Sequence, residues 1–556
     1  MSDNEHIWIP RLKQYLADRQ IDRREFIRNA TLLGMSAGAA YMWAGKITGQ
    51  PFAPPARAAE MPMGGTLRIA MRVPKINSPH TFSWIYDSNI VRQQVGYITR
   101  TGADNVTRPH LCTKWEASED LKTWTFTVGD YTWFKDGRPL TSKDFAWNIK
   151  HCLDPKTGSS VVGLMKGYML KEIDTGKKDD KGKAIMTTEL WDANAIETPD
   201  DKTLVLHLKE PQVAVPEHLF HYPLLIVDPA EGGKFGLGSN GHLGYELKEF
   251  EVGRKAFLKR REGGKGYLDE IHFIDLGDNT AASAAAMQSK QVDGVYEGNP
   301  EQYDLFKAMG HVKIYQALTA ATAVVRMQVD QKPWTDPKVR LAMRYATDPA
   351  KATEIAVGDL GSAAEHHHVC PVHPDYAKLP AFPHDPEKAK KLLAEAGHPD
   401  GIDVEIVCKP DPAWEQASVE AMAQQWQQAG IRCKINVLPS SKFWEVWDKV
   451  PFGYTSWAHR PLGFMVLALA YRTGVPWNET HYANPEFDKT LSKAEGTLDI
   501  EKRRVILGEL ETIMQQNGPI AQALWQKLYM PFDKKVLGFK MHPTRYYFCE
   551  EYAVQA

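Results

Sequence analysis

The chain of 556 residues is 43% hydrophobic and 24% charged, which is ordinary for a folded protein and predicts two or three lobes rather than one core. Its 67 basic and 69 acidic side chains leave a net charge of −2, and the lack of a basic excess argues against a nucleic-acid-binding protein. The 16 tryptophans suit either a packed core or a pocket that grips a polar ligand, because an indole combines a large rigid surface with one polar atom.

The first 58 residues have the layout of an export signal. Arg23 and Arg24 precede an apolar run rich in Ala and Gly at residues 30–44, and residues 56–58 (Ala-Arg-Ala) form a small-residue cleavage pattern. The run is too short and too mildly apolar to span a bilayer. Residues 1–58 are therefore predicted to be a twin-arginine signal peptide that sends the remainder to the periplasm as a soluble protein.

Alternation of polar and apolar residues predicts a β-rich first half and an α/β second half. In the first half, Thr141 and Asp144 form the pattern of a capping box that opens a helix. In the second half, a strand–helix–strand unit predicts two parallel strands joined by a right-handed crossover. The predicted strands are 65–70, 124–128, 203–208, 255–260, 404–408 and 431–437, and the predicted helices of the second half are 338–346, 386–396 and 415–429.

Two motif-like segments are weak on inspection. The spaced glycines of residues 236–241 lack the preceding strand and following helix that a dinucleotide site requires, which indicates a loop. The dense group His366, His367, His368, Cys370 and His373 could hold a transition metal, but adjacent histidines point apart and no carboxylate supports them. His366, His368 and His373 stay weak metal candidates, and no metal or other cofactor is predicted.

All six cysteines follow the predicted signal, and their spacing fits no zinc or haem motif. Cys408 and Cys433 fall in neighbouring predicted strands, which lie roughly 5 Å apart, so a disulfide between them is the alternative to free thiols. Folding in a reducing cytoplasm before twin-arginine export favours the free thiols.

Several blocks, in order along the chain, resemble the peptide/nickel family of solute-binding proteins, family 5. The first reads LCTKWEASEDLKTWTF at residues 111–126 and the second FKDGRPLTSKD at 134–144. Further blocks lie at 336–342, 385–401 and 482–488. Residues 241–245 (GHLGY) depart from the family pattern, which usually reads Gly-Thr-Gly-Pro-Tyr or Phe.

This resemblance implies an α/β fold of the two-lobe hinged (venus-flytrap) kind with an extra β-rich domain. Lobe I would comprise residues 64–96, 198–314 and 526–556, the β-rich inserted domain 97–197, and lobe II 315–525. Two strands linking the lobes would act as hinges.

The resemblance also implies a function. The chain would be the periplasmic substrate-binding component of an ABC transporter, a monomer that delivers a short peptide or similar small polar solute to membrane permease and ATPase subunits. A nickel- or metal-chelate-binding protein of the same family is the alternative. A third possibility, an extracytoplasmic enzyme, lacks a nucleophile–base arrangement in the sequence.

The ligand-binding prediction centres on Arg460. Peptide-binding relatives that this chain resembles carry Trp-x-x-Asp where this chain has Trp457-Ala458-His459-Arg460. A guanidinium pairs two oxygens at once and would repel an ammonium. The substitution therefore predicts a solute with a carboxylate at that point, the alternative being an ion pair between Arg460 and an acidic neighbour.

Other candidates follow from position. Asp411 and Trp414 follow the carboxyl end of a predicted strand, where α/β lobes bind ligands. Arg326 lies in a hinge-adjacent strand, where a charge must be paired or face the cleft. Walls from the segment after the first strand and weaker neighbours complete the predicted ligand-binding set: Phe82, Trp84, Tyr86, Trp457, His459, His481 and Tyr482.

Overall fold

The computed structural model describes residues 5–49, 61–178, 182, 184–277 and 279–555. The predicted cleavage site at residues 56–58 lies outside these ranges. The helices are α1 (Trp8–Ala17), α2 (Arg23–Leu32), α3 (Ala37–Thr48), α4 (Ile85–Val91), α5 (Ser142–Leu153), α6 (Val161–Met169), α7 (Val215–His218), α8 (Thr280–Gln288), α9 (Tyr303–Ala308), α10 (Pro337–Tyr345), α11 (Pro349–Val357), α12 (Pro386–Glu395), α13 (Ala413–Gln427), α14 (Ser440–Val446), α15 (Gly463–Tyr471), α16 (Pro485–Glu495) and α17 (Ile500–Asn517).

The strands carry most of the predicted alternating segments. They are β1 (Thr66–Ala70), β2 (Thr99–Thr101), β3 (Thr107–Pro109), β4 (Cys112–Ala117), β5 (Thr123–Val128), β6 (Leu170–Lys178), β7 (Ala184–Leu190), β8 (Ile196–Asp200), β9 (Thr203–His207), β10 (Tyr245–Glu251), β11 (Lys255–Arg260), β12 (Glu270–Ile274), β13 (Gly294–Val295), β14 (Val312–Met327), β15 (Gly361–Ala363), β16 (Ile402–Cys408), β17 (Ile431–Val437), β18 (Phe452–Trp457), β19 (Ile520–Gln522), β20 (Leu524–Asp533), β21 (Val536–Leu537) and β22 (Ala553–Val554).

One mixed sheet of 12 strands joins two halves of the molecule. Its main order is β10-β11-β12-β1-β13-β20-β14-β18-β16-β17, with β15 on β20 and β19 on β14. The long strand β14 pairs with β20 from Val312 to Leu318, and after a register shift its second part pairs with β18 from Thr322 onwards. β14 and β20 are therefore the strands that run between the half containing β1 and the half containing β16–β18.

The predicted strand–helix–strand unit is confirmed as β16, α13 and β17, with the two strands parallel. Their register pairs Val404 with Cys433, so Cys408 lies four residues further along, about 13 Å away at roughly 3.3 Å per residue. That offset is too great for a disulfide, and the structure contains all six cysteines as free thiols. The predicted capping box of α5 is also confirmed, because Thr141 and Asp144 bond reciprocally.

A smaller sheet, β4-β5-β9-β8, forms most of the β-rich region. The predicted domain limit at residue 197 falls inside β8, and β9 pairs with β5, so this sheet extends to residue 207. The hairpin β6-β7 extends from the surface of this region and is exposed. The spaced glycines of residues 236–241 lie in an irregular loop, as predicted, with no helix after them.

Helices α1–α3, within the predicted signal peptide, pack against the body. Asp22 caps α2 through a capping box with Glu25, and Phe26 and Ile27 on its inner face are 0% and 3% exposed. In the described residues, no helix combines the length and the apolar character needed to cross a membrane.

Candidate functional site

Six aromatic side chains from the two halves of the molecule meet in one small pocket. Trp84 comes from the start of α4 and Tyr222 from the loop after α7, whereas Trp444, Trp447, Trp457 and Trp477 come from the half that contains β18. The centres of the Trp84 and Trp444 rings lie 4.9 Å apart across the junction, and the centres of the Tyr222 and Trp477 rings lie 5.7 Å apart. The cavity between them is about 20 Å³, close to the space of one water molecule. A solute can therefore enter only when the two halves part.

Arg460 lines this pocket and carries a buried charge. It lies just beyond the end of β18 and is 5% exposed. Its Nη1 donates to the carbonyls of Ala458 and His459, and its guanidinium lies 5.5 Å from the centre of the Tyr222 ring. In the part of the chain that the structure describes, its Nε has no hydrogen-bond partner and no carboxylate lies within ion-pair distance. The pocket therefore holds an unneutralised cation with an unused donor.

Asp87 places a complementary group near the same pocket. It lies in the first turn of α4 and is 8% exposed, and one of its carboxylate oxygens has no partner among the described residues. Burial raises the pKa of Asp87 to about 8. Burial also raises the pKa of Tyr222, while Arg460 lowers it and Asp87 raises it. The cation and the carboxyl group thus both act on the hydroxyl of Tyr222.

Arg326, in contrast, forms an ion pair with a carboxylate of the protein itself. It lies on β14 opposite Gly453 of β18, and its Nε is 2.8 Å from Oε2 of Glu479. A side chain at Gly453 would place its Cβ 2.7 Å from Nη2 of Arg326, so the glycine leaves room for the guanidinium. The same Glu479 accepts a hydrogen bond of 2.9 Å from Nε1 of Trp457, which fixes one wall of the pocket.

Asp411 and Tyr86 line a neighbouring crevice of about 80 Å³ between the halves. Oδ2 of Asp411 accepts a hydrogen bond of 2.9 Å from Nη2 of Arg72, which follows β1. Asp411 therefore joins the two halves. The Tyr86 ring lies 5.7 Å from Trp84, which connects the crevice to the aromatic pocket.

The structure does not bring the remaining predicted residues into the pocket. Phe82 and Trp414 are buried in hydrophobic clusters, and Trp414 lies in the core beneath β16. Tyr482 lines a separate cavity beside the β6-β7 hairpin, and its hydroxyl donates to Asn517. His481 lines the same cavity and bonds Asp330. His459 faces away from the tryptophans: its Nδ1 accepts from the amide of Ala320 and its Nε2 bonds the Asn105 side chain at 3.3 Å.

The histidine group is buried and is engaged in hydrogen bonds mainly through Nδ1, while Nε2 of His366 and of His368 has no hydrogen-bond partner in the described ranges. Nδ1 of His366 accepts from the amide of Gln522, and His368 shares a hydrogen bond of 2.6 Å with Tyr471. His373 donates to the carbonyl of Arg460, and burial lowers its pKa to about 4. Across the described ranges, no set of three or more His, Cys, Asp or Glu side chains is placed to hold a metal ion.

Sequence reasoning missed Tyr222, Trp444, Trp447, Trp477 and Asp87. A local signal existed only for the pair Trp444 and Trp447, which lie close together in a short amphipathic helix and just after it. The others become neighbours only through the fold.

Comparison with known proteins gives the family. The sequence profile of bacterial extracellular solute-binding proteins, family 5 Middle, matches residues 106–473, more than half of the chain. The glutathione-binding protein GsiB of Pectobacterium atrosepticum is 23% identical over 467 residues, covering 79% of this chain and 84% of the relative.

Solved structures share the two-lobe fold. The binding protein AgaA of A. tumefaciens R10, in complex with agropinic acid, matches with a TM-score of 0.77 at 21% identity, covering 88% of this chain and 99% of its own. The murein tripeptide-binding protein MppA of Escherichia coli matches with a TM-score of 0.76 at 20% identity, covering 89% and 99%. The chain belongs to family 5 of the bacterial extracellular solute-binding proteins.

Proposed function

We propose that this chain is the solute-binding component of an ABC importer and that it captures a short peptide, or a similar small carboxylate-bearing solute, in the aromatic pocket. The observation that carries the proposal is Arg460, a buried cation with an unused Nε and no carboxylate within ion-pair distance among the described residues. A buried charge without a counter-charge is costly. A solute carboxylate would supply the missing partner.

The pocket also supports a solute with two kinds of group. The tryptophan faces can cover an apolar or planar part, and Asp87 can receive an ammonium group once the lobes part. Burial keeps Asp87 mostly protonated at neutral pH in the empty protein, and an ammonium group beside it would favour its ionised form. A zwitterionic compound such as a peptide could therefore pair its carboxylate with Arg460 and its ammonium group with Asp87. Glutathione and a murein tripeptide, for which two relatives are named, are compounds of this class.

The alternative, a nickel or other metal chelate, receives less support. Nε2 of His366 and of His368 has no hydrogen-bond partner in the described ranges, but no set of three or more possible metal ligands converges there. None of His366, His368 and His373 lines the aromatic pocket. The geometry therefore favours an organic solute.

Export and partners complete the proposal. Residues 1–58 act as a twin-arginine signal, and the periplasmic protein works as a monomer with permease and ATPase subunits, without chemical turnover. A precursor with Arg23→Lys and Arg24→Lys should stay in the cytoplasm, as followed by cell fractionation. Normal processing of this double variant would remove the twin-arginine part of the proposal.

The binding function is tested on natively purified protein. Mass spectrometry identifies the solute that accompanies it, and small-angle scattering is recorded with that solute bound and after its removal by dialysis from a partly unfolded state. We expect a smaller radius of gyration in the loaded protein and the solute recovered unchanged. An equal radius in both states, together with a chemically altered solute, would mean that the chain is an enzyme instead.

A further inference from the structure

The N-terminal helices α1–α3 contact both sides of the junction between the halves. Towards the β-rich region, Nε1 of Trp115 donates to the carbonyl of Leu32 at 2.9 Å, and Tyr41 donates to Oδ2 of Asp104 at 2.7 Å. Towards the half with β18, Tyr15 donates to Oδ2 of Asp499 at 3.0 Å. These three bonds tie one continuous segment to residues that lie far apart in the sequence.

Two charged contacts reinforce the second attachment. Nη2 of Arg11 lies 3.6 Å from Oδ2 of Asp499, and Nη2 of Arg504 lies 3.5 Å from Oε1 of Glu25. Both Asp499 and Arg504 belong to the start of α17. The helices therefore hold α17 on one side and the strands around residues 104–115 on the other.

An apolar face seals the attachment. Residues of α1 and α2 that point inward are at most 3% exposed and join the same hydrophobic cluster as the body of the protein, namely Ile9, Leu12, Leu16, Phe26 and Ile27. Burial of such side chains is the main source of stability in a docked helix. In the full-length chain, before any removal of residues 1–58, the segment is thus packed against the body of the protein.

Arg28 places a charge at the junction itself. It is 8% exposed, and its Nε donates to the carbonyl of Asn105 at 3.3 Å. Burial lowers the pKa of Arg28, whereas Glu217 from one half and Asp375 from the other raise it. Both carboxylate oxygens of Glu217 and one of Asp375 have no hydrogen-bond partner in the described ranges. Arg28 therefore lies near buried carboxyl groups of both halves, although Asp375 makes its own ion pair with Arg503 at 2.9 Å.

The segment also covers an opening between the halves. Beneath α2 lies a cavity of about 960 Å³ whose walls come from both sides, including Asn105 and His459. The hydrogen bond between those two side chains, at 3.3 Å, is a direct contact across the junction. Helix α2 thus spans the outer edge of the place where the halves meet.

We propose that the groove formed by the two halves is a docking surface for this chain's own residues 5–49, and that the docked helices act as a strap that keeps the lobes closed. While the strap is docked, the aromatic pocket stays shut. Solute exchange begins only after the strap is released or is removed with the proposed signal, residues 1–58. This role of the strap is distinct from solute binding, because the strap would keep the lobes of the full chain closed whether or not a solute is present.

The test uses the full chain with alterations confined to the strap. In the first variant, Arg11→Ala, Tyr15→Phe and Glu25→Gln remove the contacts with α17, and glutamine at position 25 preserves the capping box. In the second, Leu12→Asp and Phe26→Asp place charges on the buried face and force release. The control carries Asp18→Ala and Arg19→Ala, which alter exposed neighbours on the same segment.

Two measurements are made on each protein. Hydrogen exchange of residues 23–32 reports whether the strap is docked. Spin labels on cysteines at Val252 and Ile355, which are 57% and 51% exposed on opposite halves, report the distance between the lobes by pulsed EPR. The lobe distance is independent of where the released helices go.

We expect the parent and the control to show slow exchange in α2 and one narrow lobe distance. The first variant should exchange about tenfold faster in α2, as expected for a loss of about 1.4 kcal/mol, and the second should exchange at the rate of a free helix. Both variants should show longer and broader lobe distances. Released helices with an unchanged lobe distance, or fast exchange of α2 in the parent, would overturn the proposal.

Discussion

Two buried arginines at opposite ends of the β14–β18 pair differ in one respect, the presence of a carboxylate. Arg326 is 0% exposed and lies 2.8 Å from Glu479. Arg460 is 5% exposed, and no carboxylate comes within ion-pair distance in the ranges that the structure describes. Burial alone therefore does not distinguish the two arginines; the presence of an acidic partner does, and it makes Arg460 the one that we propose for a ligand.

The difference also shows where each charge is used. Glu479 neutralises Arg326 and accepts from Trp457, so that pair builds a wall of the pocket. Arg460 lines the pocket with an unused donor. Arg460 has no acidic partner within the described residues, so its removal should lower the free energy of unfolding of the empty protein only slightly. Removal of Arg326, in contrast, leaves Glu479 buried without its cation.

The largest effect is expected from Arg326→Ala. The variant leaves Glu479 buried without its cation, which typically costs about 3–5 kcal/mol. The free energy of unfolding, measured in urea, should fall by that amount. A double variant, Arg326→Met with Glu479→Gln, removes both charges and should recover part of the loss; a double variant less stable than the single one would contradict the ion-pair explanation.

Arg460→Ala should show the reverse pattern. Loss of a buried partner for a solute carboxylate typically costs about 2–5 kcal/mol of binding free energy, while the free energy of unfolding of the empty protein should change by less than about 1 kcal/mol. Calorimetric titration with the co-purified solute measures the first quantity and urea unfolding the second. Arg460→Lys should restore binding in part, because an ammonium lacks the bidentate fork. Unaltered affinity in the alanine variant would make Arg460 structural, like Arg326.

Asp87→Asn tests the buried carboxyl group near the pocket through the pH dependence of stability. The pKa of Asp87 is about 8 in the folded protein, against 3.8 for an ordinary aspartate. The folded state therefore keeps a proton that the unfolded state loses, and stability declines as pH rises from about 4 to about 8. The asparagine variant should be more stable than the parent by about 3 kcal/mol at pH 6 and nearly equal to it near pH 4. Thermal unfolding across this range gives the answer; parallel curves would show that Asp87 is ionised in the fold.

The smallest effect is expected from Asp411→Asn, which weakens the contact with Arg72 across the halves. Both side chains are about one quarter exposed, at 24% and 25%, so the pair should contribute less than about 1 kcal/mol. On the background of the strap-released variant (Leu12→Asp with Phe26→Asp), the equilibrium between closed and open lobes should shift by up to about fivefold, as seen in pulsed EPR distances. The matched control is Asp403→Asn, which breaks an ion pair with Arg432 within one half and should leave the distances unchanged.

Much of the fold was predictable because its strands and helix caps depend on residues that are close together in the sequence. The alternation of residues 431–437 and the capping box at Thr141 depend on neighbours in sequence, and both are confirmed. The β6-β7 hairpin was not identified, because most of its residues are exposed on both faces and it lacks the periodic burial that marks a strand.

The site was predictable only in part for the same reason. Arg460 and Trp457 could be identified from the sequence because they belong to one four-residue segment that can be compared with the family pattern. The pocket joins them to Trp84 and Tyr222, which are more than 230 residues away in sequence, and no local pattern encodes that approach. Trp414 has the same residue type as the pocket walls, yet lies in the core; only the direction of its helix face decides between the two roles.

The register shift in β14 has a mechanical consequence. The ladder with β20 is regular up to Leu318 and resumes at Ala321, so the two strands form a narrow ribbon with one irregular point. Hydrogen bonds along a ribbon resist stretching and sliding but allow twist. Motion of the lobes about this point would then be mainly a twist, and a pure twist would return Trp84 and Trp444 to the same mutual position at each closure. Such a joint would give a reproducible binding geometry without any latch in the pocket itself.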